Sequence, residues 1–194
     1  MIKVVLFDLD GTLVHIPTNY KIIQEKLKNI FQTDEKFSPL IKSIITKANG
    51  DESKINEAFE LICEQEIAAV EDVQVVQGMK DIINFLKTKD CLVCLVTMQC
   101  RKAATKILNE LNIMDYFSNI VTRDESYDRF EQIQKTLEIM KINSDQALVI
   151  GDTVNDMECA KKAGCQHLLL STKYENDNNL KIIKKLAEIK EVIK

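Results

Sequence analysis

The sequence predicts an α/β fold in which a parallel sheet carries helices on both faces. Short runs rich in Val, Ile and Leu recur at 2–7, 91–96, 119–121, 146–150 and 166–170, and longer segments of helical period lie between or after them. That alternation is the pattern of strands joined by crossover helices. The 194 residues suit one domain or a core with a small insert, and 45% hydrophobic against 29% charged residues supplies enough apolar surface for such a core.

The first run, 2–7, leads straight into two carboxylates. More than eighty residues then separate it from the second run, far beyond the single helix a β-α-β unit requires. Within that gap Tyr20, Ile23, Leu27 and Ile30 fall at helical intervals, as do Phe37, Leu40, Ile41, Ile44 and Ala48, and then Ile55, Phe59, Ile62 and Ala69. The gap therefore reads as a helical insert over 16–76, leaving 1–15 and 77–194 as the core. Gly78, after Val75-Val76-Gln77, reads either as a return hinge or as a simple turn. Helices are expected at 79–88, 100–111, 130–141 and 153–163, and a charged amphipathic one at 179–193.

Composition narrows the partners. Lys and Arg total 26 against 30 Asp and Glu, for a formal charge of −4, so no positive excess is present to neutralise nucleic acid or an anionic membrane. No apolar run approaches the ~18 residues of a membrane span. The first residues lack the zones of a signal peptide, which makes a cytoplasmic location the expectation. Cys91 and Cys94 form a C-x-x-C pair, but they lie on an apolar run whose period of 2 sends them to opposite faces, so a buried structural role is expected rather than a zinc or redox site.

The chemistry-bearing residues follow the runs. Asp8 and Asp10 leave the first strand in Asp8-Leu9-Asp10-Gly11-Thr12, and Asp152 and Asp156 leave the fourth in Gly151-Asp152-Thr153-Val154-Asn155-Asp156. Open α/β sheets place ligands beyond the carboxyl ends of their strands, and adjacent central strands would bring both pairs to one crevice. Converging carboxylates repel, which a hard divalent cation relieves; oxygen-only donors without histidine or thiolate suit magnesium better than zinc. Taken singly, these aspartates read equally as turn and cap residues.

The segment Asp8-Leu9-Asp10-Gly11-Thr12 resembles the first motif of the haloacid dehalogenase superfamily of phosphohydrolases. Leu95-Val96-Thr97 is similar to its second motif, and Gly151 to Asp156 to its fourth. The resemblance implies a Rossmann-like five-stranded parallel sheet of order 5-4-1-2-3 with a helical cap inserted after the first motif, as in the subfamily that resembles phosphoglycolate phosphatase and β-phosphoglucomutase. It implies a Mg²⁺-dependent phosphatase acting on a small-molecule phosphate ester. Asp8 would be the nucleophile and Asp10 the general acid and base. Asp8, the Asp10 carbonyl and Asp152 would hold Mg²⁺, with Asp156 ligating directly or through water. Thr97 and the amides of Met98 and Gln99 would grip the phosphoryl oxygens, with a helix N-cap as the competing role for Thr97.

The third motif departs from the family. A lysine, often followed by proline, is expected near the start of the helix before the fourth strand, whereas this chain reads Thr122-Arg123-Asp124-Glu125-Ser126-Tyr127-Asp128-Arg129. Arg129 stands nearest that position, with Arg123 and Lys135 as the alternatives. The missing lysine keeps open a binding or regulatory module, and the fold leaves a phosphomutase open. His15 reads as a loop histidine and His167 as part of the fifth strand.

Overall fold

Val4–Phe7 (β1) is four apolar residues without exposed surface, the signature of a strand covered on both faces. In the computed structural model, which describes residues 1–174 and 181–193, β1 lies inside a six-stranded sheet. Its companions are Leu92–Val96 (β4), Asn119–Val121 (β5), Ala147–Gly151 (β6), Gln166–Leu170 (β7) and Ile182–Ile183 (β8), ordered β5-β4-β1-β6-β7-β8. Every pairing is parallel. The first five strands thus take the order 5-4-1-2-3 implied by the family resemblance, and the sixth extends one edge.

One face of the sheet carries Arg129–Met140 (α6) and Val154–Lys162 (α7). Ile133 and Leu137 of α6 and Ala160 of α7 pack with Val4, Leu6, Cys94, Val96 and Val149 in a buried cluster. Met79–Thr88 (α4) packs on β4 and on Ile189–Val192 (α8), burying Ile82, Ile83 and Leu86. Arg101–Glu110 (α5) buries Ala103, Ala104, Ile107 and Leu108. Cys91 and Cys94 are free and buried, and burial pushes their thiols up to about 11 and about 12.

Met1–His15 together with Gln74–Lys194 makes up one compact unit, and Ile16–Val73 a second. Gln74 and Val75, which the hydrophobic pattern assigns to the insert, instead belong to the sheet-bearing unit. They form a strand (β3) antiparallel to Val14–His15 (β2), hidden in the sequence because two residues are too few to show a period of 2. Exposed His15 lies in this ribbon. Gly78, at φ +85°, is the N-cap of α4. The second unit holds Tyr20–Phe31 (α1), Leu40–Ala48 (α2) and Glu52–Ala68 (α3) around Ile23, Leu27, Phe37, Ile44, Ala58 and Ile62. Gln24 clasps Phe37 by donating to its carbonyl at 2.8 Å and accepting from its amide at 2.9 Å.

The tail differs from its expected helix over 179–193. Ile182 and Ile183 join the sheet edge as β8, where Leu169 N donates to Lys181 O and Ser171 N to Ile183 O. A 3₁₀ turn at Leu186–Glu188 and the single turn of α8 follow. Adjacent β-branched residues favour an edge strand over continued helix; positions 179, 180 and 194 lie outside the described residues. No helix among the described residues is long and apolar enough to cross a membrane.

Candidate active site

Register builds the site. Phe7 pairs with Leu95 of β4 and with Ile150 of β6, so Asp8, Thr97 and Asp152 all emerge at the carboxyl end of three adjacent central strands, where open α/β sheets bind ligands. Asp8 N donates to Ile150 O at 2.9 Å. The chain then turns on Leu9 O, which accepts from Leu13 N and Val14 N at 2.9 and 3.0 Å. Gly11 occupies that turn at φ +84°, and a Cβ there would lie 2.3 Å from Asp152 Oδ2. Glycine is thus required twice at one position, by backbone conformation and by the carboxylate resting on it.

Asp8 is only 7% exposed. Arg129 Nη2 donates to its Oδ1 at 2.5 Å, and Arg129 Nε lies 2.9 Å from Asp156 Oδ1. Asp156 Oδ2 accepts from both Thr153 N and Thr153 Oγ1 in the capping box of α7. Gly151 lets Asp156 approach, since a Cβ there would sit 2.5 Å from the Asp156 Cβ. Both Asp156 oxygens are therefore engaged, one with the guanidinium and one with a helix cap. Among the sequence-selected carboxylates, Asp156 is the one held between Arg129 and the cap of a helix.

Burial pushes the Asp8 carboxyl up to about 8; Arg129 opposes the rise, while Asp156 and Asp152 add to it. Burial also raises half-buried Asp152, helped by Asp156 and Asp10. Burial alone would lower the Arg129 guanidinium, but Asp8 and Asp156 outweigh it and hold it above its ordinary value. Four carboxylates thus feel one another around a single guanidinium, a negative excess that a hard divalent cation beside Asp8 and Asp152 would offset. The donors are all oxygen, and the Gly11 cradle brings the Asp152 carboxylate onto the first-motif turn. The residues fit magnesium.

The other sequence-selected cations lie elsewhere. Arg123 Nη1 donates to Met98 O at 2.6 Å and its amide to Gln99 O at 3.2 Å, so it braces the 97–99 loop. Lys135 Nζ donates to Glu125 O. Buried Thr97 places Oγ1 3.2 Å from Gln99 N. It is not a helix cap: Cys100 caps α5, three residues on, its Sγ accepting from Ala103 N, and Asp124 Oδ2 accepts from Arg101 N. The amides of Arg101 and Ala103 at the start of α5 are thus already used. Gln132 was not singled out from sequence; it touches both Arg129 and Thr97. Its only sequence signal is its place three residues after Arg129, on the same helix face.

A profile of haloacid dehalogenase-like hydrolases matches residues 5–170, from β1 to the last residue of β7 and through every site residue named above. The chain belongs to this family. It is 27% identical over 180 residues to a phosphoglycolate phosphatase of Aquifex aeolicus, covering 86% of this chain and 84% of that one. It is 29% identical over 185 residues to the pyrophosphatase PpaX of Bacillus cereus, covering 88% and 83%. A haloacid dehalogenase-type phosphatase from Thermococcus onnurineus superposes with a TM-score of 0.73 at 20% identity over 98% of this chain and 97% of that one, a likeness of fold.

Proposed function

We propose that this member of the family is a Mg²⁺-dependent phosphatase that hydrolyses a small phosphorylated metabolite through an aspartyl-phosphate on Asp8. The observation that carries this reading is the buried Asp8–Arg129–Asp156 bridge, which sets a cation against the first carboxylate where the family's lysine is absent. It removes the motive for reading the chain as a module without catalysis. The phosphatase and pyrophosphatase names of its relatives favour hydrolysis over phosphoryl return to a sugar.

In this mechanism an Asp8 oxygen attacks phosphorus in line and the ester oxygen leaves, taking a proton from Asp10. Asp10 then removes a proton from the water that cleaves the acyl-phosphate, regenerating Asp8 and releasing inorganic phosphate. Arg129 offsets the repulsion between anionic nucleophile and anionic substrate, its Nη2 set against Asp8 while Asp156 lies along its Nε edge. The Thr97 hydroxyl and the Met98 and Gln99 amides hold the transferred group. Asp8, the Asp10 carbonyl and Asp152 would hold Mg²⁺, which would neutralise charge on the phosphoryl oxygens. The sheet-bearing unit, residues 1–15 and 74–194, is the catalytic core of this proposal, and the helical insert is its cap.

The test is phosphate release from a panel spanning p-nitrophenyl phosphate, 2-phosphoglycolate, pyrophosphate, phosphoserine and sugar phosphates, with Mg²⁺ and with EDTA. Turnover of at least one substrate, lost in EDTA, is expected, and Asp8→Asn should abolish it while leaving the melting temperature in place. Full activity of metal-stripped protein, or of Asp8→Asn after control for deamidation, overturns the mechanism.

A further inference from the structure

We propose that Gln132 is a positioning residue whose amide aims the Arg129 guanidinium at Asp8 and couples it to the Thr97–Gln99 loop. The inference rests on the phosphatase reading above and deepens it. Gln132 is 0% exposed, and its side chain is spent at both ends. Oε1 accepts from Arg129 Nη1 at 3.1 Å, while Nε2 donates to Thr97 O at 2.9 Å and to Ser126 O at 2.8 Å, with Met98 Sδ at 3.5 Å.

The two carbonyls fix the amide's orientation. Thr97 O and Ser126 O accept only, so the NH₂ end must face them and the oxygen must face Arg129. Arg129 Nη1 is thereby held between Gln132 Oε1 and Val96 O. Because a guanidinium is planar, anchoring Nη1 fixes the directions of Nη2 and Nε, which meet Asp8 and Asp156. A lysine has no such plane to orient. Gln132 is thus tied to the arginine that this chain carries in the third motif, and it joins the charge-stabilising group to the loop that would hold the phosphoryl oxygens.

A purely structural role, in which Gln132 merely ties α6 to two loops, predicts a different outcome in a double-mutant cycle. The measurement is kcat, KM and melting temperature for wild type, Gln132→Met, Arg129→Lys and the double variant. Gln132→Met should lower kcat about 10- to 100-fold when Arg129 is present. In the Arg129→Lys background it should change kcat by no more than about twofold. Equal losses in both backgrounds, or a lowered melting temperature at unchanged kcat, overturn the proposal.

Gln132→Leu guards against failure of the methionine variant to fold. It removes the oxygen facing Arg129 without setting an acceptor against Thr97 O and Ser126 O, so it should lower kcat as Gln132→Met does; an unchanged kcat in the folded leucine variant counts against the proposal. A readout independent of turnover is the ¹⁵N spectrum of the Arg129 side chain. Distinct Nη1 and Nη2 signals in wild type that merge in Gln132→Met support positioning, and signals unchanged by the substitution refute it. If wild type released phosphate from no substrate, the phosphatase reading would fail while this spectrum still decided the role of Gln132.

Discussion

Arg129 is the first residue of α6, where the helix's own partial positive charge disfavours a cation. Asp8 and Asp156, arriving from the ends of β1 and β6, make the position favourable. Arg129→Ala should therefore lower kcat/KM by ~10²-fold or more, the scale of losing one charge-stabilising donor. Arg129→Lys should recover only part, since an ammonium cannot span two carboxylates in one plane. Steady-state kinetics with Arg123→Ala as comparison check this: Arg123 braces Met98 O, so its loss should act mainly on KM. A silent Arg129→Ala would move the role elsewhere. At this scale the sequence makes the four aspartates visible, because acid pairs beside glycine and threonine after apolar runs are rare by chance, and it offers Arg129 only through its place relative to the family's third motif, beside Arg123 and Lys135. Gln132 stays hidden, for a glutamine in a helix looks solvated until the fold buries it.

Among the elements, β7 carries a prediction of its own. Burial lowers the pKa of half-buried His167 below its ordinary 6.5, and Lys161 and Lys181 add to the shift. The folded state therefore favours neutral imidazole, and below about pH 6.5 the unfolded chain binds more protons. This contribution to stability is present above pH 6.5 and is lost as pH falls through the depressed value. Melting temperatures from pH 7.5 to 5 should drop more steeply for wild type than for His167→Gln; parallel curves would show that the imidazole contributes nothing. The raised Asp8 and Asp152 carboxyls act in the opposite sense, which is why the comparison between the two proteins, and not the wild-type slope alone, is decisive. The long strands and helices are legible because their apolar runs and 3.6-residue spacing span several turns or pleats. The strands β2, β3 and β8 are two residues each, too short for any period, and the tail's charge pattern reads as helix until Ile182 and Ile183 meet the sheet edge.

For the whole molecule, the site opposes the fold that builds it. Asp152 is held beside Gly11 against the repulsion of its neighbours, so Asp152→Asn should raise the melting temperature in EDTA while removing the stabilisation that Mg²⁺ gives wild type. Calorimetric scans with and without Mg²⁺ test both halves, and an Asn variant that melts lower in EDTA contradicts the repulsion argument. Strand order was accessible through the family resemblance, but register was not: apolar runs carry no mark of which residue faces which, and register is what delivers Asp8, Thr97 and Asp152 to one level.

The contact between Gly11 and Asp152 also constrains how this chain can change over generations. The two positions are far apart in sequence yet share one small volume, so a side chain at 11 meets the carboxylate at 152 on top of the strain of its positive φ, and shrinking 152 relieves the first alone while removing a carboxylate that the proposed mechanism uses. In a genetic screen, loss-of-function alleles at codon 11 should yield no second-site revertants of activity at codon 152, leaving true reversion as the route back.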